Sequence, residues 1–265
     1  MPLVSSIVLL QPRTLPSSSS FLRVNRIVSS ASMSKEATSL EVEITEGLGN
    51  LPKVFLKSDS GSEAEIYLFG GCMTSWKPAG GRDLLLVRPS CWCQRYFFAG
   101  LNELFSNLVF YAWIYKNMNW SIVDSEKVEG NPILTLELKD EAYGRSMWDY
   151  SFQALHKVIL KPKSLSTELV ITNTDQKPFS FGPALHTYFQ ASITGTSMKG
   201  LKACKTLNKD PDPKNPLEGK EDRDVITFPG FVDCIYLDAP SENQLDNGLG
   251  DIITIRNTKN PARPR

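Results

Sequence analysis

Pro132-Ile-Leu-Thr-Leu-Glu-Leu138 sets Leu134, Leu136 and Leu138 on one side of an extended chain and Thr135 and Glu137 on the other. Successive side chains of a strand point to opposite faces, so this two-residue period predicts a half-buried antiparallel strand rather than a helix. Outward from it, Glu63-Ala-Glu-Ile-Tyr-Leu-Phe69, Asp83-Leu-Leu-Leu-Val87 and Leu165-Ser-Thr-Glu-Leu-Val-Ile-Thr172 are further short runs of strand-forming residues. Gly70-Gly71, Gly80-Gly81, Asn173-Thr-Asp175 and Asp246-Asn-Gly248 supply turns between such runs. Many short strands punctuated by turns predict an all-β fold, a large antiparallel β-sandwich. No glycine-rich loop leads into a helix, so neither a P-loop nor a dinucleotide fingerprint is present.

Lys and Arg together number 29, as do Asp and Glu, giving a formal net charge of zero. That balance argues against electrostatic capture of nucleic acid or of a membrane surface and leaves small molecules or proteins as partners. Residues 1–35 contain no Asp or Glu, carry Arg13, Arg23 and Arg26, and include the serine run Ser17 to Ser20. This composition predicts a disordered organellar transit peptide, assigned to the chloroplast because serine outweighs arginine, with the mitochondrion second. Residues 36–265 are then expected to form one β domain. The five cysteines show no metal-ligand spacing, so free thiols and no metal are expected. No apolar run reaches the length of a membrane span.

Phe179-Ser-Phe-Gly-Pro-Ala-Leu-His-Thr-Tyr-Phe189 contains His186, one of only two histidines. An imidazole titrates near neutrality and suits proton transfer in sugar chemistry, although a hydrogen-bonded structural role fits the same position. Residues 200–224 interleave Lys202, Lys205, Lys209, Lys214 and Lys220 with acids and prolines, which reads as a long solvated excursion. A phosphate contact by one of these lysines is the alternative. Trp76, Trp120 and Trp148 are candidates either for the core or for stacking on sugar faces. Residues 91–116 stand apart: Leu101, Leu104, Phe105, Leu108, Ala112 and Tyr115 fall at helical spacing and predict a short amphipathic helix.

Taken in order, the segments Ala64-Glu-Ile-Tyr-Leu-Phe-Gly-Gly-Cys-Met-Thr-Ser-Trp76, Asn117-Met-Asn-Trp120, Met147-Trp-Asp-Tyr-Ser-Phe152, Ile171-Thr-Asn-Thr174, Lys177-Pro-Phe-Ser-Phe181, His186-Thr-Tyr-Phe189 and Phe231-Val-Asp-Cys-Ile-Tyr236 resemble one family. It is the plant glucose-6-phosphate 1-epimerases, which are aldose 1-epimerase-like proteins. The resemblance implies a β-sandwich of the galactose mutarotase type and interconversion of the α and β anomers of glucose 6-phosphate without a cofactor. It also implies that His186 is the catalytic acid and that Asp233 binds sugar hydroxyls, a role for which a carboxylate's acceptor oxygens are suited.

Two departures accompany the matches. The family's Gly-Gly-Ile-Pro turn and His-Gly-Phe-Ala-Arg motif have no counterpart where residues 91–116 stand. The chain also stops at Arg265, before the segment in which the family carries its catalytic Glu and last strands. The reading is therefore an impaired epimerase on an incomplete sandwich, with a non-catalytic carbohydrate-binding or scaffold module as the alternative. Loss of strands exposes sheet edges, through which a protein partner could be recruited.

Overall fold

The computed structural model describes residues 42–86, 118–181, 187–210 and 212–257, together with the short strands β1 (Ser6–Val8) and β2 (Arg13–Thr14), the latter in a two-stranded sheet with β11 (Ser180–Phe181). The helical stripe read over residues 91–116 and the rest of the leader 1–35 lie outside the described residues. The chain divides into two compact units, one built mainly from residues 14–92 and 113–180 and the other mainly from residues 181–261.

In the first unit, β3 (Glu43–Glu46), β4 (Pro52–Lys57), β5 (Glu63–Tyr67) and β6 (Cys72–Lys77) form an antiparallel sheet in sequence order. A second antiparallel sheet runs β10-β9-β8-β7, from β7 (Ser121–Val128), β8 (Asn131–Lys139), β9 (Phe152–Lys161) and β10 (Ser164–Asn173). The leucine alternation of β8 holds: Leu134, Leu136 and Leu138 are buried, whereas Thr135 and Glu137 are only partly covered. Each such leucine contributes about 1.5–3 kcal/mol by leaving water. The hairpin joining β7 to β8 turns on Glu129 and Gly130, both at positive φ, which is the backbone that a two-residue turn requires.

The run from Asp83 to Val87 does not form the expected strand. Over residues 81–86 the chain is irregular apart from a single bridge residue, and Val87 lies outside the described residues. The Asp83 carboxylate accepts hydrogen bonds from the Trp76 and Leu85 backbone N–H groups, so a local side-chain turn replaces a strand ladder there. The short helix α1 (Ala142–Met147) lies between β8 and β9, and Trp148 at its end packs edge-on against Phe179, ring centroids 4.7 Å apart. Trp76, Trp120 and Trp148 are all buried, so these aromatics belong to the core.

The second unit also has two sheets. One runs β1-β16-β13-β14, from β13 (Lys205–Asn208), β14 (Leu217–Lys220) and β16 (Asp233–Leu237) beside β1. The other runs β15-β12-β17-β18, from β12 (Ser197–Lys199), β15 (Val225–Thr227), β17 (Glu242–Asp246) and β18 (Ile252–Arg256). Strand β1 pairs parallel with β16, and the other pairings of these sheets are antiparallel. Their core gathers Met198, Leu201, Ile226, Phe228, Cys234 and Tyr236. The lysine-rich stretch is thus not one long excursion: it folds as the β13-β14 hairpin, and Lys209, immediately after β13, is buried while Lys202, Lys205, Lys214 and Lys220 stay exposed.

Candidate functional site

Strand β16 begins within the Phe231–Tyr236 motif, carrying Asp233-Cys-Ile-Tyr236 into the second unit, and its alternation sorts the candidate residues. Asp233 and Ile235 point to one face, Cys234 and Tyr236 to the other. Pairing with β13 sets Asn208 opposite Cys234 and Thr206 opposite Tyr236, and directly opposed residues share a face. One position further along, the Lys209 backbone N–H donates to the Asp233 carbonyl at 2.8 Å.

On the Asp233 face, Lys209 Nζ donates to Asp233 Oδ2 at 3.1 Å, with side-chain exposures of 10% for the lysine and 21% for the aspartate. This is a shielded ion pair whose carboxylate still reaches solvent. Its second oxygen, Oδ1, has no hydrogen-bond donor among the described residues. The geometry leaves acceptor capacity for a ligand hydroxyl.

The opposite face opens into a cavity of about 480 Å³ whose lining includes Thr206, Asn208, Lys220, Arg223, Phe231 and Tyr236. Its organising group is Glu221, only 6% exposed. Arg223 Nε and Nη2 each donate to that carboxylate at 2.8 Å, and the Tyr236 hydroxyl donates at 2.9 Å. The bidentate guanidinium, ahead of the opposing effect of burial, pushes the Glu221 carboxyl down to about 2. Burial, reinforced by the bond to Glu221, pushes the Tyr236 phenol well above its ordinary value. Burial likewise raises the Cys234 thiol, which keeps it protonated and poorly nucleophilic at neutral pH. This cluster braces the unit and leaves no titratable group poised near neutrality.

His186 lies outside the described residues, so the structure places Asp233 but not its expected catalytic companion. Of its motif, Thr187 is exposed while Tyr188 and Phe189 are half-buried. The other histidine, His156 on β9, belongs to the first unit; burial lowers its pKa, and its ring stands edge-on to Trp120 at 6.0 Å between centroids. Glu137, also in the first unit, has its carboxyl lowered by the Gln153 amide and then by Lys139. No group of three or more His, Cys, Asp or Glu side chains able to hold a metal occurs among the described residues. No described helix is long and apolar enough to cross a membrane.

Sequence alone does not distinguish Lys209 from the other four lysines of residues 200–224, and its pairing with Asp233 is not legible there. Lys205-Thr-Leu-Asn-Lys209 alternates, which would place Lys209 on the Leu207 face of β13. Only the pairing register shows that this face meets Asp233.

Residues 112–262 match the family model described as aldose 1-epimerase. A protein of Cenchrus ciliaris named "Putative glucose-6-phosphate 1-epimerase" is 31% identical over an alignment of 224 residues that covers 76% of this chain. The chain spans 65% of that relative's length. Among solved crystal structures, one described as "a putative mutarotase (YeaD) from Salmonella typhimurium" matches with a TM-score of 0.58 at 19% identity, covering 80% of this chain and 76% of that one. The HI1317 protein matches with a TM-score of 0.56 at 18% identity, covering 81% and 80% respectively. These two likenesses establish a shared fold, and the all-β antiparallel expectation stands with them.

Proposed function

The chain belongs to the aldose 1-epimerase family, and from that premise we propose that it interconverts the α and β anomers of glucose 6-phosphate. Three lines support the substrate: the name carried by the Cenchrus ciliaris relative, the His186-Thr-Tyr-Phe189 motif, and the acceptor capacity of Asp233. The observation that carries the reading is the shielded Asp233 carboxylate, with one oxygen held by Lys209 and the other able to accept from a sugar hydroxyl.

The reaction is an acid-base ring opening. A base takes the proton from the anomeric hydroxyl while an acid protonates the ring oxygen, and the bond between C1 and that oxygen breaks to give the aldehyde. Rotation about C1–C2 and reclosure, with the protons returned, give the other anomer. In this reading His186 is the proton donor to the ring oxygen, and Asp233 anchors the hexose through its hydroxyls. We further read the turnover as slow, because residues 91–116 carry no counterpart of the family's His-Gly-Phe-Ala-Arg motif.

Exchange between the two anomers of glucose 6-phosphate, followed by proton NMR, tests this directly. The full chain should equilibrate the anomers faster than buffer alone, and His186→Ala should return the rate to that of the buffer. A rate equal to the buffer control in the unsubstituted chain overturns catalysis. Saturable binding of the sugar phosphate without exchange would identify a carbohydrate-binding module instead. For the leader we propose plastid import, which a fluorescent fusion of residues 1–35 tests; a cytosolic signal overturns it.

A further inference from the structure

Lys209 is buried at 8% exposure, and lysine is among the residues least often found there without a charge partner. Its ammonium reaches Asp233 Oδ2, while its backbone N–H holds the Asp233 carbonyl. One residue therefore fixes its partner at both main chain and side chain. Lys209 and Asp233 sit across the β13-β16 pair, on the face away from the Glu221 cluster and the cavity. Nothing in that cluster contacts them through a hydrogen bond or ion pair among the described residues.

We propose that Lys209 is a positioning residue for Asp233, and that the pair presents a charge-compensated carboxylate to a phosphorylated sugar. The inference rests on the reading of Asp233 as the hydroxyl-binding residue. Its physics has two parts. With Oδ2 tied to the ammonium, the carboxyl plane is set before the ligand arrives, so its orientation is not bought from binding energy. With a cation at 3.1 Å, the pair is close to neutral at a distance. An uncompensated carboxylate would repel the phosphate dianion of the ligand through a partly desolvated site, where screening is weak. A neutral sugar would not feel that repulsion, so Lys209 biases the site toward the phosphorylated form.

Calorimetric titration of the full chain with glucose 6-phosphate and with glucose tests the assignment, using Lys209→Met, Lys209→Arg, Asp233→Asn and the double variant Lys209→Met/Asp233→Asn. Lys209→Met should weaken glucose 6-phosphate binding about tenfold or more, the scale of losing a charge-assisted hydrogen bond. It should weaken glucose binding distinctly less, and Lys209→Arg should restore most of the affinity. In the double variant the two losses should fall well short of multiplying, because Lys209 acts through Asp233. Removing both charges should also return thermal stability lost in Lys209→Met, which separates positioning from a failure to fold. An unchanged affinity in Lys209→Met, an equal loss for both sugars, or multiplying losses overturns the proposal while the functional reading stands. An unsubstituted chain that binds neither sugar overturns both.

Discussion

Tyr236 donates its hydroxyl to Glu221 Oε2 at 2.9 Å, and Arg223 donates to both oxygens of the same carboxylate. The buried anion therefore tethers the segment between β14 and β15 to β16. It is a strong tether because every partner is charge-assisted and the group is shielded from water.

This predicts acid sensitivity of defined sign. The Glu221 pKa lies at about 2 in the folded chain, below the ordinary 4.5. Its contribution is fully present above pH 4.5 and is lost as pH falls toward about 2. Linkage sets its size at about 3 kcal/mol as an upper figure. Urea unfolding of Glu221→Gln should show lower stability at pH 7 and a shallower loss between pH 4.5 and the folded value. A pH dependence identical to the unsubstituted chain would show that the tether does not contribute.

His156 predicts a second, separate window. Burial lowers its pKa from 6.5, so the unfolded chain takes up a proton that the folded chain resists. Stability is complete above about pH 6.5 and declines as pH falls below it. Substitution by Phe keeps an aromatic ring against Trp120 and removes the titration. The melting temperature of His156→Phe should therefore lose its slope just below pH 6.5 while keeping the carboxylate-driven decline at lower pH. Retention of the upper slope would count against His156 as its source.

The strand content of this fold was legible in residues such as Leu134, Leu136 and Leu138, because one-sided burial leaves an alternating trace in a single stretch of chain. Asp83 shows where that legibility fails: its leucine run has the composition of a strand, but the carboxylate satisfies nearby backbone donors and holds the segment irregular. Asp233 is legible through its motif, whereas Lys209 is one of five lysines among which the sequence offers no choice. A cross-strand pair depends on register, and register is fixed by contacts between segments far apart in sequence. The Glu221 tether was hidden for the same reason, since Tyr236 joins it from 15 residues away.

Gly248 should tolerate no side chain. It has φ of +66°, and a Cβ there would stand 2.9 Å from the Thr196 backbone nitrogen and 3.0 Å from the Ser192 carbonyl oxygen. The neighbours are backbone atoms, and Asn247 beside it is fully buried, donating to Asp251 and accepting the Leu249 and Asp251 N–H groups. The loop therefore has little room to yield. Gly248→Ala should cost about 1–3 kcal/mol in chemical denaturation. A change below a few tenths would mean that the turn relaxes freely.

Leu201 tests whether the second unit rests on its own core. The side chain is fully buried among Met198, Ile226, Phe228 and Tyr236, and it follows Gly200, whose φ of +97° fixes the approach of the chain. Leu201→Ala removes apolar contact and leaves a void, which costs about 2–5 kcal/mol in well-packed interiors. Leu201→Met nearly conserves volume and should cost less than about 1.5 kcal/mol. Hydrogen exchange should locate the difference: in Leu201→Ala the amides of β12, β15 and β16 lose protection before those of β8 and β9, because the weakened packing lies among the former. Equal loss across both sets would instead mean that the two units unfold as one, and that the cavity is felt by every strand.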